Sequence, residues 1–265
     1  MHGATRPDQR QGVVFEDATA PSPWTLPSHA SLLTGLYPRS HGLRVAVDRI
    51  PTSIPTMAAL FHRSGYSTAG VVNVGLLSER RGFARGFGHY FQMGRSRLPE
   101  GDARRINAKA LEWLETSPER FFLFLHYYDG HSDYRPLPEF AREMAEPYDG
   151  IASGTTAQMR KFLTGDVEFG PEDARHLSNL YDAEILQLDV ALGELFDELE
   201  SRGLLAKSLV ILTSDHGEEF FEHGSLLHGR SVYQELVRVP LIMVGPGAPM
   251  GRRVASLSKN PTALT

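Results

Sequence analysis

Residues 181–224 read YDAEILQLDVALGELFDELESRGLLAKSLVILTSDHGEEFFEHG, an amphipathic segment, a stop, an apolar run and a cluster of imidazoles and carboxylates. Counted back to Pro171, the residues Leu177, Leu180, Ile185, Leu188, Leu192, Leu195 and Leu199 recur at helical spacing, and Gly203 supplies the stop. That pattern predicts a helix over Pro171–Arg202. The run that follows, Leu209–Thr213, is apolar without alternation, which fits a strand in a sheet covered on both faces. A helix feeding such a strand is the repeating unit of a layered α/β fold.

The rest of the chain extends the pattern. Further strands are expected at Ser67–Val72 (STAGVV), Phe121–Leu125 (FFLFL) and Leu241–Val244 (LIMV), with helices at Pro27–Thr34, Thr56–Ser64 and Asp102–Glu115. Residues 129–170, rich in Gly, Pro, Asp and Thr, are expected to be a long loop region facing solvent or substrate. No internal repeat interrupts the order. With 265 residues, 41% of them apolar, the chain is expected to be one globular α/β domain over 1–265.

Composition removes several functions. Lys plus Arg is 27 against Asp plus Glu 32, a net charge of −5, so no general attraction to nucleic acid or acidic membranes is expected. There is no Cys, which excludes disulfides, thiolate metal sites and a Cys nucleophile. The longest apolar runs fall far short of the roughly 20 residues that span a bilayer. The opening MHGATRPDQRQG lacks the apolar core of a signal peptide, so a cytoplasmic location is the default expectation. Oligomeric state is not legible.

In open α/β sheets, ligands collect at the carboxyl ends of strands. Here FFLFL is followed by HYYDGHSDY and LVILT by SDHGEEFFEHGSLLHG, and these two segments hold five of the 11 His. Asp215 and His216 offer a carboxylate and an imidazole, donors suited to Ca, Mg, Mn or Zn according to their partners. A polar strand-end turn is the alternative reading. Three other chemistries lack their signatures: no H-E-x-x-H zinc-peptidase spacing, no G-x-S-x-G elbow and no G-x-x-x-x-G-K-[ST] phosphate loop.

Residues 24–42, WTLPSHASLLTGLYPRSHG, place Thr25 and Pro27 at an expected helix start. A Thr there can cap free backbone N–H groups. A helix N-terminus is equally an anion site, where a hydroxyl faces a sulfate or phosphate group.

Four ordered blocks carry a family resemblance. TLPSHASLLTGLYPRSHG is similar to the nucleophile signature of the sulfatase family in the alkaline phosphatase superfamily. FFLFLHYYDGH, the 181–224 stretch and YQELVRVPLIMVGPG resemble that family's later blocks. The resemblance implies an alkaline phosphatase-like three-layer fold, with a mixed, mainly parallel sheet between helices. It implies a sulfuric or phosphoric ester hydrolase acting on a small anionic ester, with no nucleic-acid partner. By position, Thr25, His29 and His131 are the catalytic residues. His131 and His228, the latter in the place of a Lys, bind substrate, and Asp215, His216 and Thr25 bind one divalent metal ion. Ca or Mg is expected, with Mn and Zn as alternatives.

Thr25 departs from the family. The formylglycine of active sulfatases is made from Cys or Ser, so a Thr must attack sulfur or phosphorus through its own oxygen. The nucleotide pyrophosphatase and phosphodiesterase branch also uses Thr, but its D-x-x-x-H pair is missing from YDAEILQLD. A site of sulfatase type for sulfate, phosphate or phosphonate esters is therefore expected. Of the acids before Thr25, Asp8, Glu16 and Asp17 end no convincing β-run, so the family's first metal-binding strand and its C-terminal subdomain are expected to be lacking. The alternative function is a truncated, non-catalytic anion-binding relative.

Overall fold

The computed structural model describes residues 12–94, 101–116, 120–144 and 146–255. Asp8 and residues 256–265 lie outside them. In chain order the elements are β1 (Gly12–Thr19), α1 (Thr25–Thr34), α2 (Pro38–His41), α3 (Met57–Arg63), β2 (Ser67–Val72), β3 (His89–Gln92), α4 (Gly101–Leu114) and β4 (Phe121–Leu125). There follow α5 (Pro138–Glu143), α6 (Thr156–Thr164), α7 (Pro171–Ser201), β5 (Val210–Thr213), β6 (Glu219–Phe220), β7 (Leu226–Leu227), α8 (Gln234–Val237), β8 (Arg238–Val244) and β9 (Arg252–Val254). Every helix and strand expected above is present, within a few residues at each end.

The strands form a parallel sheet in the order β3-β2-β4, a mixed sheet in the order β5-β8-β1-β9, and a small β6-β7 hairpin. The expected mixed sheet thus takes the form of two. In one, all pairings are parallel, and in the other β8 runs antiparallel to both β5 and β1. Among the described residues β4 pairs only with β2, and β5 only with β8.

Three segments differ from the sequence reading. Gly12–Thr19 is a strand, although GVVFEDAT mixes charge into its apolar positions; its partners, β8 and β9, lie at the far end of the chain. Glu16 pairs with Arg253 at 2.7 Å, and Asp17 is exposed along the strand, so neither ends a strand as a metal ligand would. The short strand β3 was not expected. Within 129–170 the chain forms α5 and α6, the second capped by the Thr155 side chain, which accepts from Gln158 N at 3.4 Å. Short helices embedded in turn-rich sequence carry too little periodicity to stand out.

Packing fixes the two helices that matter most. From α1, Leu26, Ala30 and Leu33 recur at helical spacing and enter a core with Leu43, Ile50, Val72, Leu77 and Phe83. Thr25 and His29 are buried as well, one turn apart. From α7, Leu177 enters a second core with Tyr134, Met159, Phe169 and Leu226. The same helix meets α4 through Asn107 Nδ2, which donates to the Ala191 carbonyl at 2.7 Å. Among the described residues no helix is long and apolar enough to cross a membrane.

Asp173 starts α7 by accepting the Gly170 amide at 2.8 Å and holds the preceding loop through Tyr148 Oη and the Ile151 amide. Burial works against its charge, but these hydrogen bonds outweigh it and keep the carboxyl below the usual carboxylate range. Asp173→Ala leaves two amides and a phenol without their acceptor and is expected to cost about 1–3 kcal/mol, read as a lower denaturation midpoint at neutral pH. Because the folded-state pKa is depressed, this contribution is present above the unfolded carboxylate pKa and is lost as pH falls through the folded value. A midpoint equal to that of the parent chain at neutral pH would contradict the assignment.

Candidate active site

The C-terminal ends of β2, β4 and β5 meet the first turn of α1, and that junction gathers the expected residues. Thr25 is the first residue of α1, and the preceding Trp24 makes no side-chain cap. The Thr25 hydroxyl Oγ1 faces His216 Nε2 at 3.4 Å. Ser28 Oγ donates to the Asp215 carbonyl at 2.6 Å, tying the helix to the strand end. One turn from Thr25, His29 donates from Nδ1 to the Thr25 carbonyl at 3.0 Å, and the same nitrogen is 3.2 Å from Asp215 Oδ2.

The strand-end turn is shaped by Gly217. A Cβ there would lie 1.9 Å from the Glu235 carbonyl oxygen, so only glycine lets the chain pass α8 at this point. The Gly217 amide donates to the Leu236 carbonyl at 2.9 Å. His216 Nδ1 lies 2.8 Å from the Gly217 carbonyl, which can only accept, so the proton sits on Nδ1 and Nε2 keeps its lone pair. Burial lowers the His216 pKa, against the raising effect of Asp215. Burial opposes ionisation of Asp215 too, yet its interaction with His29 holds its carboxyl well below the usual range.

A second group of rings faces this one. His228 Nδ1 donates to Glu218 Oε1 at 2.8 Å, and although burial opposes the charge, the buried Glu218 carboxylate raises the His228 pKa. The His228 ring lies 4.1 Å from His216 and 4.9 Å from His131, centroid to centroid. His131 donates from Nδ1 to the Ser132 carbonyl at 2.7 Å and accepts at Nε2 from Tyr128 Oη at 3.1 Å. Burial, helped by the His228 charge, brings the His131 pKa to about 4. His131 is thus neutral at rest, and donation from Nε2 to an anion requires a second proton.

Sequence reading missed His126 and Asn73. Both follow parallel strands directly, His126 after β4 and Asn73 after β2, and strand ends were the signal that could have found them. His126 donates from Nδ1 to Asn73 Oδ1 at 3.0 Å, and its ring packs 5.0 Å from that of His29. Burial and the His29 charge bring its pKa to about 3, so it is a neutral support. His41, in the YPRSHG block, is structural: its Nε2 bonds Ser31 Oγ at 3.0 Å and its Nδ1 accepts the Leu43 amide at 3.1 Å.

The metal expectation can be tested against the donors. Asp215 Oδ2 is buried, with His29 Nδ1, which already donates to the Thr25 carbonyl, at 3.2 Å and His216 Nε2 at 3.4 Å. The carboxylate oxygen and the imidazole nitrogen beside a hydroxyl fit part of a cation's shell. Among the described residues, the three acidic or imidazole ligands that converge within 4.8 Å of one another are Glu219 of β6, His223 and Glu235 of α8. There, however, His223 already pairs with Glu235 at 2.6 Å, and Glu219 accepts two backbone amides.

Glu218→Gln removes the charge that keeps His228 protonated. The His228 midpoint in a metal-free NMR titration is expected to fall relative to the parent chain, because burial is then opposed chiefly by the Asp215 charge. A midpoint unmoved from that of the parent chain would show that Glu218 does not set it.

A family profile described as Sulfatase matches residues 4–260. The chain is 27% identical to arylsulfatase K of Mus musculus over 291 residues, covering 93% of this chain and 52% of that protein. It is 25% identical to the low-salt glycan biosynthesis sulfotransferase Agl7 of Haloferax volcanii over 262 residues, covering 93% of this chain and 53% of that one. The chain thus spans about half the length of the curated relatives it matches. In fold it is similar to the phosphonate monoester hydrolase of Agrobacterium radiobacter, with a TM-score of 0.74 at 19% identity over 93% of this chain and 64% of that one. With the Sulfatase profile matched over residues 4–260, nearly the whole of this chain, the chain belongs to the sulfatase family.

Proposed function

We propose that this chain carries the catalytic site of a hydrolase of sulfate, phosphate or phosphonate esters, with Thr25 as nucleophile. The observation that carries the reading is the placement of Thr25 Oγ1. It is buried at the N-terminus of α1 and lies 3.4 Å from His216 Nε2 beside the Asp215 carboxylate.

In this reading Thr25 Oγ forms a bond to sulfur or phosphorus, and the bond to the departing alcohol breaks. The proton that Thr25 gives up ends on that alcohol. Water then splits the Thr25 ester and restores the hydroxyl. The free amides of the first turn of α1 and the cationic His228 hold the non-bridging oxygens, where negative charge develops. His131 joins them by taking a proton at Nε2 when an anion arrives. His29 keeps Asp215 ionised and fixes it against α1. A divalent cation held by Asp215, His216 and Thr25 would lower the pKa of the hydroxyl and polarise the substrate. Ca or Mg remains the family expectation, while the imidazole donor weighs toward Mn or Zn.

One observation favours a second reading, an anion-binding chain without turnover. Asp215 is the one carboxylate beside Thr25 that the described contacts supply, fewer oxygen donors than Ca or Mg takes.

Hydrolysis of nitrophenyl sulfate, phosphate monoester, phosphate diester and phosphonate, each with Ca, Mg, Mn and Zn in turn, separates the readings. Metal-dependent turnover that falls by about 1,000-fold or more in Thr25→Ala is expected, since loss of a covalent nucleophile is rarely milder. Turnover indifferent to Thr25→Ala would sink the nucleophile assignment. Binding of sulfate or phosphate without turnover, with any of the metals, would leave the second reading standing.

A further inference from the structure

Deep in α7, two polar side chains face inward where the helical pattern asks for apolar ones. Glu184 is 4% exposed and Gln187 8%, and they sit one turn apart on the same face. Both reach across to the segment that follows β4. Glu184 accepts the Gly130 amide at 2.9 Å with one carboxylate oxygen and the Arg135 amide at 2.6 Å with the other. Gln187 accepts the Leu137 amide at 2.9 Å and donates to Asp129 Oδ1 at 3.0 Å. Four hydrogen bonds from two side chains therefore grip residues 129–137 on both sides of His131.

The grip is specific to a backbone that only glycine adopts. Gly130 has φ of +79°, and a Cβ there would lie 2.8 Å from Ile185 Cδ1, so the loop turns tightly against α7 at the residue before His131. A hydrogen bond to an ionised acceptor is roughly twice as strong as a neutral one, and a buried carboxylate persists only when its oxygens are satisfied. Both oxygens of Glu184 are bonded to loop amides. The carboxylate and the loop conformation thus stabilise each other, and the His131 ring, stacked 4.1 Å on Tyr128, inherits its position from them.

We propose that Glu184, with Gln187 beside it, is a positioning residue that sets the His131 imidazole against His228. The functional weight of that placement rests on the site proposed above. Glu184 touches no substrate; it acts through the Gly130 and Arg135 amides. Glu184→Gln keeps the shape and one acceptor oxygen but turns the other into a donor that faces an amide.

Two measurements test this, and the first does not depend on turnover. The His131 ring resonance, assigned with His131→Ala, is expected to shift or broaden in Glu184→Gln, while that of His41, held in a different part of the fold, stays in place. A His131 signal unchanged in Glu184→Gln would overturn the proposal, and so would an equal disturbance at His41, which would mark general loss of packing. The second is a double-mutant cycle on kcat/KM with the best nitrophenyl ester. Misplacing a substrate-facing group by about an ångström costs on the order of 10- to 100-fold, so Glu184→Gln is expected to lose about that much alone and less than about twofold in a His131→Ala background. Equal losses in both backgrounds would reduce Glu184 to a structural residue. Absence of turnover in the parent chain would count against the hydrolase reading alone, because the ring resonances still decide the positioning.

Discussion

The arrangement depends on one contact, the docking of the first turn of α1 on the strand-end residue Asp215. Ser28 holds the Asp215 backbone at 2.6 Å, and His29 sits 3.2 Å from its carboxylate, so both the main chain and the charge of this residue are met by α1. A buried carboxylate is costly unless paired, and here His29 beside it holds it ionised. The three apolar residues that press α1 into the first core fix the helix from its other side. Thr25 is carried to His216 by this double attachment, and its hydroxyl meets the His216 ring there.

Around that contact the protein relies on imidazole rather than ammonium. Burial keeps His126 and His131 neutral, with pKa values brought to about 3 and 4, while Glu218 reverses the trend for His228. Rings of the same kind thus do different work: His126 supports, His228 carries charge, and His131 stands ready to take a proton. The difference lies in which neighbour each Nδ1 donates to, respectively an amide oxygen, a carboxylate and a backbone carbonyl.

Much of the frame could be read in the sequence because its signals are local. STAGVV and FFLFL match β2 and β4 residue for residue, because continuous apolar runs suit the strands of a covered parallel sheet, β2 buried beyond its first residue and β4 half-buried throughout. The repeat from Leu177 to Leu199 gave α7 to within a residue of its end. Thr25, His29, Asp215, His216, His131 and His228 came from motif blocks, and the structure brings all six to one junction. What could not be read depends on distant partners. β1 is a strand because β8 and β9 lie alongside it. Glu184 and Gln187 look like ordinary polar positions of an amphipathic helix until the fold places loop amides some 50 residues away against them.

The central claim is that the Thr25 oxygen becomes covalently bonded to the group being transferred. Rapid acid quench of the full chain during turnover of its best ester, followed by mass spectrometry of the peptide that contains Thr25, tests it directly. The account predicts a peptide carrying one sulfuryl or phosphoryl group on Thr25, present during turnover and absent once substrate is exhausted. Steady turnover with Thr25 unmodified at every time point, or the group found on another residue, would contradict it.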